Sequence, residues 1–485
     1  MQKLVLVFAG LILTSAITAV ADTAGKPSSV ELTIYNQDFA LVREVREISL
    51  KKGTNYVAVP DVAASIQPET VAFKSLTDPG GVVVREQNYQ YDVIEPNTIL
   101  NKSVGKTIKV RRFIDGSVQE IEGILLNPAS VKTNDQEKYL GVVIKTDKGV
   151  LLNPSGEIEV PELPEGLVSR PTLVWKLDAS KDDTHRAEIA YITNDITWRA
   201  DYVAVVDALD KHVDLTGWVT LVNNCGTTYE NASLNLMAGD VHRIQREEAK
   251  QVAWGRGVMA EAMAPQFAEK AFFEYHLYTL TEKTTVRDKE SKQLTLLSAT
   301  EIPVKKVYVY DGRKAWWQTW RYYGTYYPGE SYDVSASKKV AVFIETVNSK
   351  ENNLGIPLPK GIVRVYKQEA SANQHFIGED EIDHTPKDEK IRLYLGDAFD
   401  IVGEHKRTGF RRISNTEVEE TFEITLRNHK DTPVTVVVVE HLSGDWRIVN
   451  CSHKYYKKDA STLEIPVEVE KDGQAVVTYT ARTKW

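Results

Sequence analysis

VELTIYNQDFALVREVREISLKKGTNYVAVPDV, residues 30–62, sets the texture of the whole chain. Leu32, Ile34, Leu41, Val45, Ile48 and Leu50 fall in short alternating or β-branched runs, and NQD and KKGTN interrupt them with turn-forming residues. A period of two sends alternate side chains to one face, which is what a half-buried strand requires. The stretch therefore predicts strand, turn, strand. Working outward, VAFKSL, IKVRRF, VQEIEGILL, YLGVVIKT and VLLNPSGEIEV repeat the pattern between Gly, Pro, Asn and Asp breaks. The expectation is an all-β, multi-domain protein.

Residues 22–96 are expected to form an N-terminal β domain. Residues 97–160 supply about five short strands at the turn density of a small β-barrel, so TILNKSVGKTIKV is counted with the strands. Pro161, Pro164 and Pro171 then mark a stiff connector, and 161–485 reads as a β-sandwich region. Within it VTLVNNCGTTYENASLNLMAGD, from Val219, overlays ITLRNHKDTPVTVVVVEHLSGD, from Ile424, without a gap. Thr220 matches Thr425, Leu221 matches Leu426 and Asn223 matches Asn428, which predicts two immunoglobulin-like sandwich modules of one strand plan. The stretch from Val258 to Glu274 is the one convincing helical composition, broken by Pro265, and a flexible insertion is expected near 243–270.

Residues 1–21 carry Lys3, an apolar run and Ala19-Val20-Ala21, the marks of a secretory signal peptide cleaved after Ala21. An exported protein, periplasmic or extracellular, is expected, with no transmembrane segment in the mature chain. A net charge of −9 over 485 residues argues against a nucleic-acid partner. Two cysteines, Cys225 and Cys451, allow at most one intrachain disulfide and exclude a cysteine-rich metal site.

Motifs for chemistry are incomplete. Gly105-Lys106-Thr107 ends like a phosphate loop, but Leu100 stands where its first glycine belongs. WGRGVMA has dinucleotide-like glycines without a preceding strand. No nucleophile elbow and no metal-binding His helix occurs, and ten scattered histidines share no ligand spacing. No catalytic residue, cofactor or metal is assigned. GEDEIDHTPKDE, residues 378–389, offers Asp380, Glu381, Asp383 and His384, but Ile382 and Pro386 interrupt any calcium loop. Its flanks QHFIGEDEI and EKIRLYLGD read as strands, making the acids a charged connection. The densest unexplained feature is AWWQTWRYYGTYYPGESYD, with Trp316, Trp317, Trp320, Tyr322, Tyr323, Tyr326 and Tyr327. One strand buries only alternate side chains, so some of these rings are expected on a binding surface.

Several stretches, taken in order, resemble the bacterial exported proteins that carry domain of unknown function 4139, some of them labelled mucoidy inhibitor A. They include YITNDITWRADYV, LNLMAGDVHR, IPLPKGIVRVYKQ and FIGEDEIDHTPKDEKIRLYLGDAFDIVGEHK, within about 161–485, and the N-terminal part resembles shorter members. The resemblance implies an architecture and brings no catalytic residues. It leaves two expectations of function. One is a non-catalytic binding or scaffold protein of the cell envelope, with an envelope protein or polysaccharide as partner. The alternative is a hydrolase of envelope polysaccharide using a carboxylate pair such as Asp380 and Asp383, or Asp397 and Asp400.

Overall fold

The computed structural model describes residues 22–114, 117–133, 136–164, 167–239, 241–243, 266–312, 336–371 and 373–484. Strands take 66% of it and helix 3%. The chain divides into two compact units, one of Met1–Thr197, Val222–Asn235 and Lys283–Glu290, the other of Trp198–Leu221, Leu236–Glu282 and Ser291–Trp485.

In the first unit, Ser29–Tyr35 and Phe39–Leu50 pair as a hairpin, closed where Asp38 takes a left-handed φ of 61° and Tyr35 stacks on Phe39. Asp183–Asn194 and Ala72–Ser75 extend this sheet. A second sheet runs Asp22–Thr23, Gly53–Pro60, Thr172–Ala179, Val82–Gln90. Thus strands on both sides of the proline-rich connector pair with one another. Trp175 meets Phe73 edge-on at 5.3 Å, joining the two sheets across a buried core that includes Leu32, Val42, Leu173 and Ile189.

Between these strands, Thr107–Ile114, Ser117–Leu125, Val143–Thr146, Gly149–Leu152 and Glu157–Glu159 make one antiparallel sheet over Ile108, Val110, Leu125 and Ile144. Asn97–Lys102 is not a strand as expected. Pro96 opens a helix, Pro96–Lys102, because its fixed φ suits a first helical turn, where no N–H is needed.

The second unit contains a five-stranded sheet in the order Glu290–Pro303, His212–Asn223, Ile196–Val206, Gly361–Gln368, Gln374–Ile382, and a nine-stranded sheet. The latter curls so that Phe422, Ile424, Leu426, Val477 and Tyr479 share one core with Val436, Val438, Ile465 and Val467. The helical composition read from Val258 onward ends differently: Phe267–Phe272 is a strand paired with Tyr275–Leu280. Pairing with an alternating neighbour outweighs the residues' helix propensity here.

The two overlaid segments are clamped alike. Asn223 Nδ2 donates to the carbonyls of Thr227, Val286 and Arg287 at 3.0, 3.4 and 3.1 Å, while its Oδ1 accepts from Cys225 N at 3.1 Å. Asn428 Nδ2 donates to Thr432, Val469 and Glu470 at 2.9, 3.3 and 3.1 Å, and its Oδ1 accepts from Lys430 N at 3.0 Å. Both side chains are fully buried. A third clamp, not foreseen, is Asn348, which donates to Ile356, Thr385 and Pro386 carbonyls and accepts from Gly355 N. Each amide satisfies backbone groups that a loop leaving a strand would otherwise strand without partners.

Candidate functional site

Strand parity builds a groove of about 440 Å³ in the second unit. On Lys339–Val347, Val340 and Val342 join the core, so Lys339, Ala341 and Phe343 face the other way. The same rule places Val439 and His441 opposite Val436 and Val438, and Thr462 and Glu464 opposite Leu463 and Ile465. Val309 and Asp311, Arg392 and Tyr394, then Asp397 complete the lining. The groove crosses five neighbouring strands, Lys390–Ser414, Lys339–Val347, Lys305–Tyr310, Val434–His441 and Thr462–Val469. Its floor is small and apolar, with Ala341 registered against Val309.

The polar groups on its walls are paired. Asp397 accepts from Lys339 Nζ at 2.9 Å and from the Tyr394 hydroxyl at 3.0 Å. Partial burial, then that carboxylate, push the Tyr394 phenol above its ordinary range. His441 Nε2 lies 2.9 Å from Asp311 Oδ2. Arg392 lies over the Phe343 ring at 4.0 Å and bonds Glu345 at 3.2 Å, so its planar cation is fixed by an aromatic face and a carboxylate. Lys458 and Glu464 pair at 2.6 Å across one end.

The acidic stretch from Gly378 joins two strands, as its flanks predicted: Gln374–Ile382 precedes the link and Lys390–Ser414 follows it. Asp380 Oδ1 accepts from Glu381 N at 2.9 Å and Oδ2 from Tyr394 N at 2.7 Å. Asp383 accepts from His384 N, and His384 Nδ1 accepts from Lys360 N at 3.2 Å. Glu379 faces Arg364 on the adjoining strand, and Glu381 faces Lys360 just before that strand begins. Asp400 sits 3.9 Å from Lys430. Among the described residues no group of three or more His, Cys, Asp or Glu is placed to hold a metal ion.

Both cysteines are free, so the disulfide that their number allowed is not formed. Cys225 is buried with Sγ 3.5 Å from the Tyr229 hydroxyl, and Cys451 is half-buried. The aromatic residues Trp316, Trp317, Trp320, Tyr322, Tyr323, Tyr326 and Tyr327 lie outside the described residues. Sequence reading did not find the Asp311–His441 and Lys339–Asp397 pairs, because each joins strands whose pairing only the fold reveals.

No protein-family model, curated protein or solved structure matches the chain. Among the described residues no helix is long and apolar enough to cross a membrane.

Proposed function

We propose that this chain is an exported, non-catalytic binding protein of the bacterial cell envelope, akin to the domain of unknown function 4139 proteins that it resembles. In this reading its N-terminal β domain, small barrel and two immunoglobulin-like modules form a scaffold, and the groove holds an extended, hydroxyl-rich chain such as envelope polysaccharide. The observation that carries the reading is the groove's make-up. An apolar floor of Ala341, Val309 and Val439 lies beside aromatic side chains and fixed carboxylates and cations. Sugar rings offer apolar faces to aromatic side chains and hydroxyls to paired charges. In sequence, the aromatic run lies between Asp311 and Ser337, both of which line the groove.

The absence of catalysis is supported by how the carboxylates are engaged. Asp397 is neutralised by Lys339, and both oxygens of Asp380 accept backbone N–H groups. Glycosidic cleavage needs an acid and a base that face one bond.

Affinity electrophoresis through gels containing bacterial envelope polysaccharide tests the reading. Retardation of the full chain is expected, and Phe343→Ala with Tyr394→Ala should weaken it roughly tenfold, at about 0.5–1.5 kcal/mol per lost aromatic contact. A chain that is not retarded by any such polymer would overturn the proposal, as would release of new reducing ends.

A further inference from the structure

Arg46 is the one lysine or arginine buried among the described residues, at 2% exposure. On Phe39–Leu50 the inward parity runs Ala40, Val42, Glu44, Arg46, Ile48, Leu50, so two charges occupy core positions. Arg46 Nε and Nη2 donate to the two oxygens of Glu44 at 3.0 and 3.2 Å, and Nη1 donates to Gly25 O at 3.2 Å. A guanidinium has five N–H donors. Two of them therefore have no acceptor among the described residues, and this side chain lines a cleft of about 420 Å³ in the first unit.

The cleft also offers acceptors. Asp61, at a left-handed φ of 64°, bonds Arg170 Nη1 through Oδ1 at 2.7 Å. Asp288 accepts from Gly226 N through Oδ1 at 3.0 Å. The second oxygen of each carboxylate accepts no hydrogen bond among the described residues. The loop after Asn223 fixes both groups: Thr227 Oγ1 donates to Asp61 O at 3.1 Å, and Asp288 N donates to Thr228 Oγ1 at 3.0 Å. The cleft thus combines a desolvated donor pair with two placed anionic acceptors, the complement of a ligand with one carboxylate and one ammonium group.

We propose that this cleft binds an amino-acid-like zwitterion, a free amino acid or a short peptide with free ends, its carboxylate on Arg46 and its ammonium between Asp61 and Asp288. Glu44 keeps Arg46 in place from the opposite edge, as a buried guanidinium requires a counter-charge. The site is independent of the polysaccharide reading, which concerns the other unit.

Isothermal titration of the full chain with L-alanyl-L-alanine, its N-acetyl form and its C-terminal amide decides the matter. The free dipeptide should bind, and each blocked form should bind roughly tenfold or more weakly, having lost one charge-assisted contact. Asp61→Asn with Asp288→Asn should weaken the free dipeptide to the level of the N-acetyl form and leave the N-acetyl form unchanged. Asp397→Asn, in the groove, should change nothing. Equal binding of the three peptides, no binding in the millimolar range, or a loss caused by Asp397→Asn would overturn the assignment. The blocked peptides give this result even if the double variant fails to fold.

Discussion

After Asn223 the chain passes through buried Cys225, then Gly226 and Thr227, along the wall of a cleft; after Asn428 it passes through exposed His429, Asp431 and Thr432 into solvent. The hydrogen bonds that shape the two loops correspond one for one. What differs is the residue two places on, Cys225 in one loop and Lys430 in the other, and what stands opposite. The first loop faces Asp61 and Asp288, tied to it by its threonines. A buried amide bonded to backbone alone sets a turn without dictating its side chains, so the same frame can serve a binding wall or a plain surface.

The largest expected effect tests the cleft side. Arg46→Met leaves Glu44 buried without its partner and should cost about 3–5 kcal/mol in urea denaturation, and adding Glu44→Gln should recover much of that loss. If the double variant is no more stable than the single one, the pair does not act as a unit. Next come the clamps. Asn223→Ala and Asn428→Ala each strand buried carbonyls and should cost about 2–4 kcal/mol. Only Asn223→Ala should abolish dipeptide binding, and equal loss from both variants would break the contrast.

Protonation should separate two carboxylates by sign. Burial, set against the pull of Arg46, holds Glu44 above the usual carboxylate range. The folded state then binds more protons than the unfolded one, so Glu44's contribution to stability falls as pH rises from the ordinary carboxylate pKa to the raised one. Glu419, held low by Arg482 and then by Arg411, contributes stability that is lost as pH falls through its lowered value. Denaturation followed from pH 3 to 7 should show the Glu44→Gln variant losing the first slope and the Glu419→Gln variant losing the second.

Thiol labelling gives a smaller contrast: burial pushes both thiols up, but only Cys225 is fully shielded. Iodoacetamide should modify half-exposed Cys451 in the native protein and Cys225 only after unfolding. Smallest of all, His384→Ala in the acidic connection removes one exposed hydrogen bond, from Lys360 N, and should cost about 0.5–1 kcal/mol.

Much of the fold was legible because alternation carries directly into sheet faces, as in Phe39–Leu50 and Glu417–Asn428. The kinship of Asn223 and Asn428 was also visible, since a clamp needs an asparagine at a fixed place after a strand. Asn348 escaped because the loop it closes is longer, reaching Gly355 and Ile356 before it returns. Glu44 and Arg46 were hidden in REVRE, which reads as a solvated face. Their parity with Val42, Ile48 and Leu50 was the signal that could have exposed them. The groove was not legible at all, because Asp311 and His441 meet through a parallel pairing of strands far apart in sequence.

The amide of Asn428 reaches past three residues to grip the carbonyl of Thr432. The side chains of His429 and Asp431 lie exposed within that span, while its backbone is anchored by His429 N to Asp400 O, Lys430 N to the same amide, and Asp472 N to Lys430 O. For protein engineering the span is a ready insertion port. A fluorophore, affinity tag or small domain placed after Asp431 would hang from an anchored stem, on a loop that lines neither the groove nor the cleft.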